Sequence, residues 1–180
     1  IKKIKKNEIN KNMVPHWLRK DLKIFKTKID YFIETVSKEP SLHLVFKNKI
    51  LLDNFNEKIV RTTETSGFLV NKKKISEIED FNKGVWWVQD FSSMLPIYLS
   101  SELKFKKIID LCAAPGGKAF QALSLQNDLI INDISKKRTI ILKDNLRRLN
   151  FDMQVNNDNA LDLPENNNFD VVVLDSPCSG

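Results

Sequence analysis

From Lys106 onward the chain repeats one pattern: a short apolar run, a loop of small or polar residues, then an amphipathic stretch. Lys107-Ile-Ile-Asp-Leu, Leu129-Ile-Ile-Asn-Asp, Met153-Gln-Val and Phe169-Asp-Val-Val-Val-Leu read as strands. The stretches from about Lys118 to Gln126 and from Ser135 to Leu149 read as helices. β-Branched runs too short to be helices, alternating with segments of 3.6-residue period, predict an α/β fold. The expected form is a doubly wound parallel sheet that takes its ligand at the carboxyl ends of the strands. In the second helix Ile141, Leu142, Leu146 and Leu149 are expected inward, and Lys136, Lys137, Lys143 and Arg147 outward. The fourth strand is apolar enough to be central in a parallel sheet.

The first half follows a different plan. Trp17, Leu18, Leu22, Phe25, Ile29, Phe32, Ile33 and Val36 recur at three- and four-residue spacing after Pro15, which predicts helix with one buried face. Pro40 closes that region. Leu42-His-Leu-Val-Phe, Lys58-Ile-Val-Arg and Gly67-Phe-Leu-Val read as strands, and Ile50-Leu-Leu-Asp as the start of a short helix. Gly84-Val-Trp-Trp-Val is a further strand. Asp90, Ser92 or Ser93 can cap a helix over Met94 to Leu99, with Pro96 in or near its first turn. The expected organisation is a basic linker over 1–12, a small α+β subdomain over 13–83, and the first half of a larger α/β domain over 84–180. The start at Ile1 and the stop at Gly180 read as the ends of a fragment.

The chain's net charge of +6 is uneven. Residues 1–28 carry ten Lys/Arg against two Asp/Glu, whereas residues 29–180 carry nineteen against twenty-one. A polyanion-binding arm is one reading. Compositional bias is the other, since Lys, Asn and Ile are all abundant and only five of the 29 basic residues are Arg. No apolar run is long enough for a transmembrane helix, and nothing resembles a signal peptide, so the expected location is the cytoplasm. Cys112 and Cys178 stand 66 positions apart, and His16 and His43 stand alone. Neither a zinc cluster nor a disulfide framework can be built from them, so no metal is expected.

Three strand ends carry the chemistry. Asp110-Leu-Cys-Ala-Ala-Pro-Gly-Gly-Lys118 links the first strand to a helix. Its adjacent glycines, two of only five in the chain, let backbone approach a ligand, and the helix N-terminus offers free N–H groups. Cys112 and Ala119 occupy the places where a Walker loop needs Gly and Ser/Thr, and there is no Gly-x-Gly-x-x-Gly. Asp133, ending the second strand, is placed to accept ribose hydroxyls, and can equally cap the next helix. Asp158 is a candidate for an adenine amino group, or simply a loop aspartate. Asp175-Ser-Pro-Cys-Ser179 ends the fourth strand with a carboxylate and a thiol three residues apart. Such a thiol can act as nucleophile, acid or base, and the carboxyl group can bond a heterocyclic ring nitrogen. Cys112 reads as a packing residue.

Together, Cys112-Ala-Ala-Pro-Gly-Gly-Lys118 and Asp175-Ser-Pro-Cys-Ser179 resemble the Sun/Nop-type RNA cytosine-5 methyltransferases. Gln89-Asp90-Phe-Ser-Ser93 is similar to the segment preceding that family's first strand. Asp133 with Arg138, Asn145 and Arg148-Leu149 resembles its second motif. The resemblance covers about residues 84–180, and reaches weakly to Pro15-His-Trp-Leu. It implies a Rossmann-like domain that binds S-adenosylmethionine. Cys112, Ala113, Ala114, Pro115, Gly116, Gly117 and Lys118 would wrap the methionine and ribose side. Asp133 would hold the ribose, Asp158 the adenine, and Asp175 the methionine amine or the target cytosine.

The implied substrate is RNA, ribosomal RNA first and transfer RNA second, bound by a monomer through residues 13–83. Cys178 matches the family cysteine that assists product release. The attacking cysteine belongs to a later Thr-Cys-Ser motif that this sequence does not contain, so residues 1–180 alone are expected not to turn over. DNA cytosine-5 methyltransferases instead use a Pro-Cys at this strand end as nucleophile, which is the alternative role for Cys178. Ala119 and Ser176 depart from the family's frequent Thr and Ala. Two rival readings are a non-catalytic RNA-binding or assembly module that keeps the cofactor fold, and a methyltransferase for another nucleophile.

Overall fold

The computed structural model describes residues 14–24, 28–38, 40–100, 103–162 and 168–177. The chain divides into two compact units, 1–41 and 42–180. In the first, the stretch read as helical after Pro15 contains α1 (His16–Ile24) and α2 (Ile29–Ser37). Leu22 is buried as its spacing predicts, but Trp17 is exposed, so the apolar stripe is narrower than the sequence suggests.

The second unit opens with an antiparallel sheet. β1 (His43–Phe46), β2 (Ile59–Thr63), β3 (Ser66–Leu69) and β4 (Trp86–Val88) stand in the order β2-β3-β1-β4. The short helix α3 (Lys49–Asp53) follows β1, and Asn48 caps it by accepting the Leu51 N–H. β4 pairs with β1, Leu44 opposite Val88, so this sheet runs across residue 83 and draws its last strand from beyond Gly84. Leu44, Phe46, Leu52, Leu69 and Trp86 form its core. His43 is buried between Phe68 and Phe91, with Nδ1 2.8 Å from the Gln89 carbonyl and Nε2 2.8 Å from Thr62 Oγ1. Burial holds its pKa below the usual histidine value.

Next comes α4 (Phe91–Leu99), capped by Asp90, whose carboxylate accepts the Ser92 and Ser93 N–H groups. Pro96 lies a turn deeper in this helix than expected. The parallel sheet follows: β5 (Lys107–Asp110), α5 (Gly117–Ser124), β6 (Asp128–Asn132), α6 (Lys136–Arg148), β7 (Val155–Asn156) and β8 (Val171–Val173). Its order is β7-β6-β5-β8, all parallel. β8 pairs with β5, and Val172 and Leu174 are exposed. The strand–helix alternation therefore gives the predicted sheet, with one difference. In α6, Leu142, Leu146 and Leu149 are buried, but Ile141 is half exposed, because the buried arc is too narrow for two consecutive residues.

One core joins the two sheets. Val45 and Trp87 pack with Met94, Ile108, Phe120, Ile131 and Leu146. The C-terminus of α6 is stitched to the antiparallel sheet by cations, which suits the negative end of a helix. The Arg148 guanidinium donates to the carbonyls of Phe81 (3.0 Å) and Trp86 (3.1 Å) and covers the Phe81 ring. Lys47 donates to the Leu149 carbonyl. Gly84 (φ +64°) passes so close to this end that a Cβ would lie 1.7 Å from the Arg148 carbonyl oxygen.

Candidate functional site

The chain leaves β5 for β6 and β7 on one side, then crosses to β8 on the other. Such a switch point leaves a crevice at the strands' carboxyl ends. A cavity of about 300 Å3 lies there. The loop from Asp110 to Lys118 lines it, together with Gln89, Asp90, Ser93, Arg138 and Asp175.

Glycine shapes the loop. Gly116 precedes α5 at φ +120°, and a Cβ there would lie 2.0 Å from the Phe120 ring. That ring is buried edge-on to Trp87 and has nowhere to move. At Gly117 a Cβ would press on the Gln89 side chain at 3.0 Å. Gln89 is buried and fixed. It accepts from the Trp87 indole and donates to Gln121, both at 2.8 Å, and Gln121 donates to the Met94 carbonyl at 3.1 Å. Gln89 is thus a prop beneath the loop that ties β4 to α5, and Gln121 in turn ties α5 to α4. The peptide between Ala114 and Pro115 is cis.

Charged groups of both signs line the cavity, Asp90, Asp110 and Asp175 with Lys118 and Arg138. Asp110 is 2% exposed, and its carboxylate takes a hydrogen bond from the Cys112 N–H at 3.3 Å. Burial raises its pKa to about 7, although that bond and Lys118 pull the other way; Asp175 and Asp133 add to the rise. Lys118 reaches Asp175 at 2.5 Å and Ser93 Oγ at 3.3 Å, tying α5 to the segment after β8 and the start of α4. Asp175 itself is largely exposed. Burial, then Asp133 and Asp110, raises the Cys112 thiol above its usual range. A thiol held protonated is a poor nucleophile, which agrees with a packing role.

Asp133 is buried, and both its oxygens are engaged: one accepts from Ala114 N–H (3.0 Å), the other from Ser135 N–H (2.9 Å). Arg138 Nη1 stands 3.5 Å from Asp133 Oδ2, while Nη2 donates to the Ala114 carbonyl. Ala113 N–H donates to the Asn132 carbonyl at 3.0 Å. Asp158 lies at the carboxyl end of β7 with its side chain exposed and is not among the cavity-lining residues. Its backbone is held by Asn132, which accepts the Asp158 N–H (3.0 Å) and donates to the Asp158 carbonyl (3.1 Å). Cys178 lies outside the described residues.

The structure therefore brings Cys112, Ala113, Ala114, Pro115, Gly117, Lys118 and Asp175 to one cavity, with Gly116 packed on Phe120 and Asp133 directly behind the wall. The sequence reading passed over Asp110 as a charged group of the site, and over Asn132. A common signal marks both, a polar residue closing an apolar run (Ile-Ile-Asp, Ile-Ile-Asn). Among the described residues no group of three or more His, Cys, Asp or Glu could hold a metal ion, and no helix is long and apolar enough to cross a membrane.

A glycine-looped crevice at the switch point of a parallel sheet is the place where open α/β domains take their ligands. Residues 99–180 match the family described as 16S rRNA methyltransferase RsmB/F. That match takes in a little under half of the chain, and what it resembles there is a family of S-adenosylmethionine-dependent ribosomal RNA cytosine-5 methyltransferases. It is 34% identical to ribosomal RNA small subunit methyltransferase B of Photorhabdus laumondii, over 62% of this chain and 27% of that protein. With ribosomal RNA small subunit methyltransferase F of Vibrio vulnificus it shares 36% identity, over 54% of this chain and 22% of that protein. The B enzyme of Enterobacter sp. is 28% identical over 92% of this chain and 42% of its own length. The chain thus spans well under half the length of these relatives. The crystal structure of PH0851 shares the fold with a TM-score of 0.78 at 22% identity, over 98% of this chain and 46% of that one. NSun6 from Pyrococcus horikoshii, solved with SFG, aligns with a TM-score of 0.52 at 30% identity, over 59% of this chain and 29% of that one.

Proposed function

We propose that this protein takes part in transferring a methyl group from S-adenosylmethionine to carbon 5 of a cytosine in RNA. Ribosomal RNA is the first candidate and transfer RNA the second. The observation that carries this reading is the convergence of the glycine loop, Asp110, Lys118 and Asp175 on one cavity, in a chain whose residues 99–180 match this family.

The residues fit the cofactor. A ligand with two positive centres suits a crevice lined by Asp90, Asp110 and Asp175 with Asp133 behind its wall, and the close packing at Gly116 and Gly117 leaves room for backbone alone. When bound, S-adenosylmethionine supplies an electrophilic methyl group. In this reading Cys112 to Lys118 surround its methionine and ribose side. Asp133 offers its two remaining acceptor positions to the ribose hydroxyls. Asp158 meets the adenine amino group. Asp175 meets the methionine amine or the ring nitrogen of the target cytosine, where a hydrogen bond stabilises charge developing in the ring. Cys178 assists product release, and the attacking thiolate comes from a later segment of the full protein. The target base is unpaired or flipped to enter the crevice. Residues 13–83, preceded by the basic linker 1–12, engage RNA. The protein works in the cytoplasm as a monomer.

The test is to incubate the full-length protein with labelled S-adenosylmethionine and ribosomal RNA, then locate the methyl group by mass spectrometry. Label at carbon 5 of a cytosine is expected. Cofactor binding without transfer would favour an RNA-binding module, and label on another atom would overturn the cytosine chemistry.

A further inference from the structure

Ala114 has both its backbone polar groups held by one side-chain pair. Its N–H donates to Asp133 Oδ2 at 3.0 Å, and its carbonyl accepts from the Arg138 guanidinium, whose other terminal nitrogen stands 3.5 Å from the same Asp133 oxygen. Asp133 ends β6, and Arg138 sits in the first turn of α6, where Ser135 Oγ accepts its N–H at 3.4 Å. Arg138 lines the cavity, whereas Asp133 is buried behind it.

At 3.5 Å, Arg138 Nη1 attracts Asp133 by charge without taking up one of its lone pairs. Two acceptor positions of the carboxylate are filled by Ala114 and Ser135, and the other two lie behind the cavity wall, where Asp133 is 1% exposed. A neutral side chain in place of Arg138 would free the Ala114 carbonyl and leave the Asp133 carboxylate without its nearest cation. Lysine carries one point charge and cannot grip both groups as a planar fork does.

We infer that Arg138 is a positioning residue. With Asp133 it clamps Ala114, so that the cofactor loop, and the wall that covers the remaining acceptor positions of Asp133, are held in register for a ribose diol. The inference rests on the cofactor reading above and deepens it.

Two measurements on the full-length protein test the clamp. In the free protein, Arg138→Ala should speed hydrogen exchange of the Ala114 amide about tenfold or more, since local opening governs that rate. Unchanged exchange would overturn the clamp whatever the ligand. By calorimetry, wild type should bind S-adenosylhomocysteine more tightly than its 2′-deoxyribose counterpart. R138A should weaken S-adenosylhomocysteine about ten- to a hundredfold, the size of a lost charge-assisted hydrogen bond, and the deoxy ligand much less. R138K should restore only part of the difference. Equal losses for both ligands would make Arg138 a general packing residue and refute the inference. Failure of wild type to bind either ligand would instead remove the cofactor reading on which it rests.

Discussion

Asp110 makes a measurable statement about stability. Its pKa rises from 3.8 to about 7, and burial is the largest cause. The folded protein therefore keeps this proton up to about pH 7, whereas the unfolded chain releases it near pH 3.8. Between those values the native state binds more protons, so stability falls as pH rises and levels off above about 7. A shift of about three units corresponds to at most about 4 kcal/mol, of which about 3 falls between pH 5 and 8. Asp110→Asn removes the titration and keeps an oxygen to accept the Cys112 N–H. Urea unfolding of wild type and variant at pH 5, 6, 7 and 8 isolates the effect. His43 contributes the opposite slope, its depressed pKa costing stability as pH falls below about 6.5, but it is common to both proteins. The stability difference should move toward Asn by about 3 kcal/mol from pH 5 to 8. Parallel curves across that range would refute the claim that a buried, protonated carboxyl group sits at the end of β5.

Gly116→Ala should destabilise the protein by about 2 kcal/mol or more, because φ is +120° and the new Cβ meets the Phe120 ring; thermal unfolding reads the loss. Phe105→Gly should stabilise by up to about 1 kcal/mol, since an exposed aromatic at φ +59° carries left-handed strain, while Phe105→Ala keeps most of it. Arg148→Met should cost about 2–3 kcal/mol by leaving the Phe81 and Trp86 carbonyls without their charged donor, measured by denaturant midpoint.

The boundary between what sequence and structure decide follows from the range of the forces involved. Periodicity, caps and glycine placement act within a few residues. The strands Ile108 to Asp110 and Leu129 to Asn132, a helix cap among Asp90, Ser92 and Ser93, and the Gly116-Gly117 loop were accordingly legible from the chain alone. The same local logic put Asp133 and Asp175 at strand ends, where ligands gather in a parallel sheet.

Contacts between distant segments were not legible. No local signal says that β4 returns to pair with β1, that Gly84 must pass against the Arg148 carbonyl, or that Gln89 props Gly117. Nor does sequence show desolvation. Asp110 and Asp175 look alike as letters, yet one is buried and held protonated to about pH 7, and the other lies mostly exposed beside Lys118. By itself the sequence determined which elements form and which residues stand at their ends. The tertiary structure alone decided which of those ends meet, and which charges lose their water in meeting, because both depend on groups brought together from far along the chain.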